Sequence, residues 1–275
     1  MKVKYVDVHC HIQFEQYAGD DSELIERMQR EGVAGIVVGV DYTSSQKALA
    51  LAENYKHLYV AVGLHPNRVP NESFDVSAYR ALAMHPKVVA IGECGLDFFR
   101  PIEVNDEVKS AQKEVLQKHI TLASELNKPL IIHARPSKGI QHPVGYPDAG
   151  DAYHDLIELL KKAKTEHPHL RGDIHFFVGG VAEAEALSAL GFTVSFTAVI
   201  TFARDYDAII RALPLTNILS ETDAPYVAPA ARRGDRNDPL SVKDVVSQIA
   251  SIRSEDPETV RAALLTNAAH MFEIV

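Results

Sequence analysis

Apolar and polar positions alternate along this chain on two scales. Eight short runs rich in Val, Ile, Leu and Ala recur at residues 5–9, 35–40, 58–63, 88–92, 129–132, 173–176, 193–196 and 217–219. Longer stretches with a helical apolar period separate them, so the pattern predicts strands joined by amphipathic helices. Helices are expected near residues 21–30, after the N-caps Thr43 and Ser44, and at 76–84 and 106–126. Others are expected from residue 153 and at 182–189 and 204–212, and two more, at 240–252 and 256–265, close the chain. This alternation predicts an α/β fold with a parallel sheet, and eight repeats predict a single (β/α)8 TIM-like barrel with extra C-terminal helices. A length of 275 residues suits one barrel domain over 1–275, and no composition break divides it. The competing fold is a doubly wound open sheet, which would more typically carry a glycine-rich phosphate loop after the first strand; none is present.

All strand C-termini of such a barrel meet at one face, where catalytic residues collect. The first strand delivers His9 and His11, which project to one side while Cys10 points away. The third delivers His65, the fourth Glu93, the fifth His133, the sixth His175 and the eighth Asp223. Any one of these histidines, taken alone, reads as a hydrogen-bonded core residue. Imidazoles or carboxylates at six of eight strand ends are not explained by packing. Together they suit a hydrolytic site with two divalent metal ions, Zn2+, Mg2+ or Mn2+, bridged by one carboxylate. Glu93 is the expected bridge, giving one ion to His9, His11, Glu93 and Asp223 and a second to Glu93, His133 and His175. Asp223 is also the expected general base, with Glu221 next in line, and His65 stands outside the ligand set as a contact for a substrate oxygen.

Composition narrows the setting. A net charge of −9 argues against a broad duplex-binding face, though not against a nucleic-acid end entering a pocket. Two cysteines, Cys10 and Cys94, make no disulfide framework and suit packing in a reducing, cytoplasmic environment. No run is long enough to span a bilayer, the N-terminus does not read as a signal peptide, and no obligate protein partner is evident.

The chain resembles the TatD family of metal-dependent hydrolases and deoxyribonucleases, within the amidohydrolase superfamily. The matching segments are Asp7-Val8-His9-Cys10-His11, Gly63-Leu64-His65-Pro66, Ile91-Gly92-Glu93-Cys94-Gly95-Leu96-Asp97 and Ile132-His133-Ala134-Arg135. His175, Glu221-Thr222-Asp223-Ala224-Pro225-Tyr226, Arg233-Gly234-x-Arg236-Asn237 and Thr266-Asn267-Ala268-x-x-x-Phe272 complete the series. The resemblance implies a divalent-metal site and hydrolysis of phosphodiesters in DNA, exonucleolytic in the 3′-5′ sense, with DNA or a small phosphodiester as partner. The alternative is a metal-dependent esterase, lactonase or deacylase acting on a small molecule or aminoacyl ester; many such enzymes bridge their ions with a carboxylated Lys where Glu93 stands. Three departures bear on substrate: Phe176-Phe177-Val178-Gly179 and Thr197-Ala198-Val199, where the family favours Ser-Gly, and a long stretch at 136–152. That stretch reads as a partial lid or a tolerated insertion. Basic residues expected near the mouth are Arg100, Arg135, Lys138, Arg232, Arg233 and Arg236, with Arg135, Arg233 and Arg236 assigned to substrate phosphate beside His65. Phe98, Phe99, Tyr146 and Tyr226 are candidates for stacking on a base.

Overall fold

A computed structural model describes residues 2–100, 105–137 and 150–274. Strands β1 (Tyr5–Cys10), β2 (Val33–Val38), β3 (Leu58–Val62), β4 (Val88–Asp97), β5 (Leu130–Arg135), β6 (Gly172–His175), β7 (Phe192–Phe196) and β8 (Ile218–Ser220) pair in sequence order, every pair parallel. Between them run helices α1 (Asp21–Glu31), α2 (Tyr42–Ala52), α3 (Val76–Ala83), α4 (Asp106–Glu125), α5 (Gly150–Glu166), α6 (Val181–Ala189) and α7 (Asp207–Ala212). Helices α8 (Val242–Arg253) and α9 (Pro257–Phe272) follow β8. The fold is the expected eight-stranded α/β barrel, nearly closed. Among the described residues no helix is long and apolar enough to cross a membrane.

The sheet closes where β8 ends. Asp223 N–H donates to the His9 carbonyl (2.9 Å), and His11 N–H donates to the Ala224 carbonyl (2.8 Å). Below this the buried Asp7 carboxylate accepts from Thr222 N–H (2.9 Å) and from the Thr222 hydroxyl (2.6 Å). The backbone that carries His9 and His11 is thereby stitched to the backbone that carries Asp223.

Two apolar layers support the barrel. The larger packs the outward strand residues, Cys10 and Cys94 among them, against the helices. A smaller one gathers alternate residues such as Val8, Ile36, Ala61 and Ile131 and is completed by Met271 and Phe272 of α9. That contact explains why α9 runs to Phe272 instead of stopping near 265.

The largest differences from the sequence pattern lie in β4 and β5. Their apolar runs end at Gly92 and Ile132, yet the strands continue to Asp97 and Arg135. Glycine makes this possible: a Cβ at Gly95, whose φ is +136°, would stand 2.0 Å from the His133 carbonyl oxygen. After a register shift between Ile91 and Cys94 the two strands therefore run side by side from Cys94 to Asp97, with Gly95 paired to His133. Residues 138–149, which include Lys138 and Tyr146 and most of the expected lid, lie outside the described residues. α5 begins at Gly150, earlier than expected, and its Asp151 carboxylate accepts from Ser137 N–H (3.1 Å) and hydroxyl (2.7 Å) and pairs with Lys109 (2.6 Å).

Gly95→Ala must push β4 and β5 apart. We expect a loss of about 2 kcal/mol or more in urea unfolding, the range for overpacking combined with an unfavourable φ. Unchanged stability would show that the approach of the two strands is not tight.

Candidate metal centre

Glu93 is the point on which the site converges. It is 3% exposed, and its Oε1 lies 3.2 Å from His65 Nε2, from His133 Nδ1 and from His175 Nε2. Its Oε2 faces the other way, 3.5 Å from His9 Nε2. His9 Nε2 in turn lies 3.2 Å from His11 Nε2, which is 3.4 Å from Asp223 Oδ1. One oxygen of Glu93 thus looks into the β5–β6 histidines and the other into the β1 histidines. Burial pushes the Glu93 carboxyl up, but the surrounding imidazoles outweigh it and hold its pKa well below the ordinary value. Asp223 behaves alike, with burial opposed by His11, His175 and His9, and the net shift is downward. Both are carboxylates at neutral pH.

The second nitrogen of most rings identifies which atom carries the lone pair. His11 Nδ1 donates to the Val38 carbonyl (2.8 Å), leaving Nε2 free to ligate. His133 Nε2 donates to Asp97 Oδ2 (3.1 Å), leaving Nδ1. His175 Nδ1 donates to Glu221 Oε2 (3.2 Å), leaving Nε2. Three lone pairs thus point at the same space as the Glu93 oxygens. Groups of potential ligands form within it: His9, His11 and Glu93, and Glu93, His133 and His175. Two carboxylates and four imidazoles, three of them with this orientation fixed, fit divalent metal ions. Two further groupings are geometrically compact, His65 with Asp97 and His133, and His9 with His175 and Glu221. They fit worse. His65 Nδ1 accepts from Asn67 N–H (3.0 Å), so its inward Nε2 bears the hydrogen. Burial pulls the pKa of His65 down to about 4, so the ring is neutral, a hydrogen-bond donor rather than a ligand. Glu221 is fully buried, accepting from His175 and from Phe176 N–H (2.5 Å), and does not line the cavity.

Backbone strain accompanies two of these positions. Asp223 has φ +53° and Phe176, directly after His175, has φ +45°. Aspartate tolerates the left-handed region and phenylalanine does so at a cost of about 1–3 kcal/mol. The Phe176 N–H to Glu221 contact, where the chain leaves β6, holds that turn.

The centre opens into a cavity of about 670 Å³ lined by His11, His65, Glu93, His133, His175 and Asp223 at its floor. Arg68, Arg100, Arg135 and Asn67 line one part of the wall, and Phe14, Phe176, Tyr206 and Tyr226 another. Arg135 stacks on Phe99, 4.0 Å from the ring centre. The other two arginines assigned to phosphate from the sequence are not among the lining residues. Arg233 lies over Phe202 (4.5 Å), and Arg236 is engaged by Asp20, the Gln16 carbonyl and the Tyr17 ring. Arg232 pairs with Asp238 (3.1 Å). Phe98 is buried, whereas Tyr226 is 47% exposed at the mouth.

Sequence reasoning gave no role to Asp97 or Asn67 and did not name Arg68. Asp97 could have been found from spacing: on one continuous strand, residues 93, 95 and 97 share a face. That signal was hidden because the apolar run ends at Gly92.

The site and the fold together define a metal-dependent hydrolase. The family model for TatD-related DNases matches residues 6–273, and the chain belongs to that family. It is 35% identical over 272 residues to the metal-dependent hydrolase YabD of Bacillus subtilis, covering 98% of both chains. It is 31% identical over 282 residues to the 3′-5′ ssDNA/RNA exonuclease TatD of Yersinia pseudotuberculosis, covering 98% of this chain and 99% of that one. Among solved structures it superposes on the TatD homologue YjjV of Escherichia coli with a TM-score of 0.86, 29% identity and full coverage of both chains.

Asp97→Asn removes the charge that orients His133. We expect the fold to survive and metal affinity to fall about 10- to 100-fold, as for other carboxylates that orient a ligating histidine. Calorimetric titration with metal checks this; unchanged affinity would remove Asp97 from the support of the centre.

Proposed function

We propose that this protein is a phosphodiesterase that binds two divalent ions and removes nucleotides from an end of single-stranded DNA, in the 3′-5′ direction. The observation that carries it is Glu93, whose two oxygens face two separate sets of imidazole nitrogens. Support for DNA as substrate comes from the exonuclease relative and from the arginines and aromatic rings that share one cavity with the centre.

Bound divalent ions would supply Lewis-acid stabilisation of phosphate charge and a lowered pKa for a water molecule. The chain's own residues then divide the work. His9, His11, Glu93 and Asp223 would hold one ion, and Glu93, His133 and His175 the other. Asp223, ionised and beside the first set, would accept the proton of the attacking water at a carboxylate oxygen. His65, with its hydrogen on Nε2, would donate to a non-bridging phosphate oxygen. Arg135, on the wall, would contact substrate phosphate beside the centre, and Tyr226 offers a face for a base.

Chelation with EDTA should abolish cleavage of end-labelled single-stranded DNA, and added Zn2+, Mg2+ or Mn2+ should restore it. Hydrolysis of an ester or lactone panel without DNA cleavage would move the assignment to the small-molecule reading. Asp223→Asn should leave a native circular dichroism spectrum and reduce turnover by at least about 10²-fold, the scale of a lost general base. Near-native turnover would place the base elsewhere.

A further inference from the structure

The wall of the cavity beside β3, β4 and β5 carries more positive charge than a single phosphate on the metal centre requires. Arg68 follows β3, Arg100 follows β4 and Arg135 ends β5, and all three line the cavity with Asn67. The carboxylate behind them is Asp97, and it is already committed. Its Oδ2 accepts from His133 Nε2 (3.1 Å), and its Oδ1 accepts from Phe99 N–H (2.9 Å) and Arg100 N–H (3.0 Å). Arg100 Nε stands 3.7 Å from Oδ2, too far for a hydrogen bond. With its amide oriented to satisfy both ends, Asn67 donates to Asp97 Oδ2 (3.2 Å) and accepts from Arg100 Nη1 (3.0 Å), so the hydrogen bond that holds the guanidinium beside Asp97 comes from an amide.

Arg135 lies over the Phe99 ring, 4.0 Å from its centre, and among the described residues no carboxylate is within ion-pair distance of it. Two guanidinium groups thus border the same cavity, one over an aromatic ring and the other on an amide. Arg68, paired with Asp41 at 3.5 Å and half exposed, adds a third. Solvated surface arginines have no need of such props. A planar fork held with open donors is suited to a phosphate.

Resting on the phosphodiesterase reading, we propose that Arg100 and Arg135, braced by Asn67 and Phe99, bind a second phosphate of the substrate next to the scissile one. The substrate class is then a nucleotide strand end with two neighbouring phosphates, such as an end bearing a terminal phosphate. An isolated diester fills only the metal centre. The aromatic wall of Phe14, Phe176 and Tyr226 remains for a base.

The test compares thymidylyl-thymidine with the same dinucleotide carrying an added 5′- or 3′-terminal phosphate, using metal-loaded protein. One of the phosphorylated forms should show a KM lower by about tenfold, the scale of one added charge-assisted phosphate contact. That advantage should shrink below about threefold in Arg100→Met and in Arg135→Met, at unchanged metal content. Binding gives a readout without turnover: thymidine 3′,5′-bisphosphate should bind about tenfold more tightly than thymidine 5′-monophosphate, and both variants should lose the difference. Equal affinity for the two nucleotides in the wild-type protein overturns the subsite, as does an advantage that survives both substitutions. Failure of the phosphodiesterase reading looks different, with no dinucleotide cleaved; the bisphosphate measurement still decides the subsite in that case.

Discussion

Burying a carboxylate among imidazoles whose lone pairs face inward is unfavourable unless positive charge occupies the space between them. Glu93 is almost wholly removed from water, and besides the His65 N–H three imidazoles, His9, His133 and His175, have a nitrogen within 3.5 Å of its oxygens. His9 and His11 bring their Nε2 atoms within 3.2 Å of each other. Only a shared proton or a cation makes that contact attractive. At the effective dielectric of a protein site, a unit charge 4 Å from a carboxylate gains about 4 kcal/mol, so a divalent ion offsets much of the cost of burying the set. The same reasoning links the centre to stability: a ligand that binds only the native state raises its stability by mass action.

The rest of the barrel is arranged to hold those nitrogens in one orientation. Val38, Asp97 and Glu221 each accept from the ring nitrogen that does not face the centre, and they come from β2, β4 and the end of β8. The Asp7–Thr222 hydrogen bonds close the sheet one layer below, so that His9 and Asp223, more than 200 positions apart in sequence, share a backbone hydrogen bond. His119 works similarly from α4, where its Nε2 accepts from Leu64 N–H (3.0 Å) just before His65. Orientation is therefore supplied by groups that never enter the cavity.

The eightfold alternation was legible because strand and helix periods differ, and every strand was placed to within a few residues wherever apolar residues marked it. β4 and β5 were read too short because polar site residues interrupt the apolar run, whereas the pairing resumes after an irregularity at Glu93 and continues from Cys94 opposite Ile132 to Asp97 opposite Arg135. Residues at strand ends could be assembled from sequence since the barrel brings all those ends to one face. Arginine placement could not be read in this way. Arg236 lies on a long connection whose path depends on Asn237, which bonds the Thr222 and Tyr226 carbonyls and turns the segment toward Asp20. Nothing local in Arg233-Gly234-Asp235-Arg236 encodes that path.

An overall charge of −9 and a cavity lined by three arginines act at different ranges. At physiological ionic strength the Debye length is about 8 Å, so acidic groups on the far faces contribute little inside the cavity. There, Arg68, Arg100 and Arg135 sit beside a centre that would itself hold cations, and a phosphate meets attraction only once it has entered. On a protein of net charge −9, a long strand lying outside the cavity would gain little from its other phosphates, since counterion release requires clustered basic residues along the path. The favourable contacts belong to the few nucleotides that fit a space of about 670 Å³. Under the nuclease reading, this combination favours a strand end over an internal site, and local charge density, not net charge, decides where the polyanion is held.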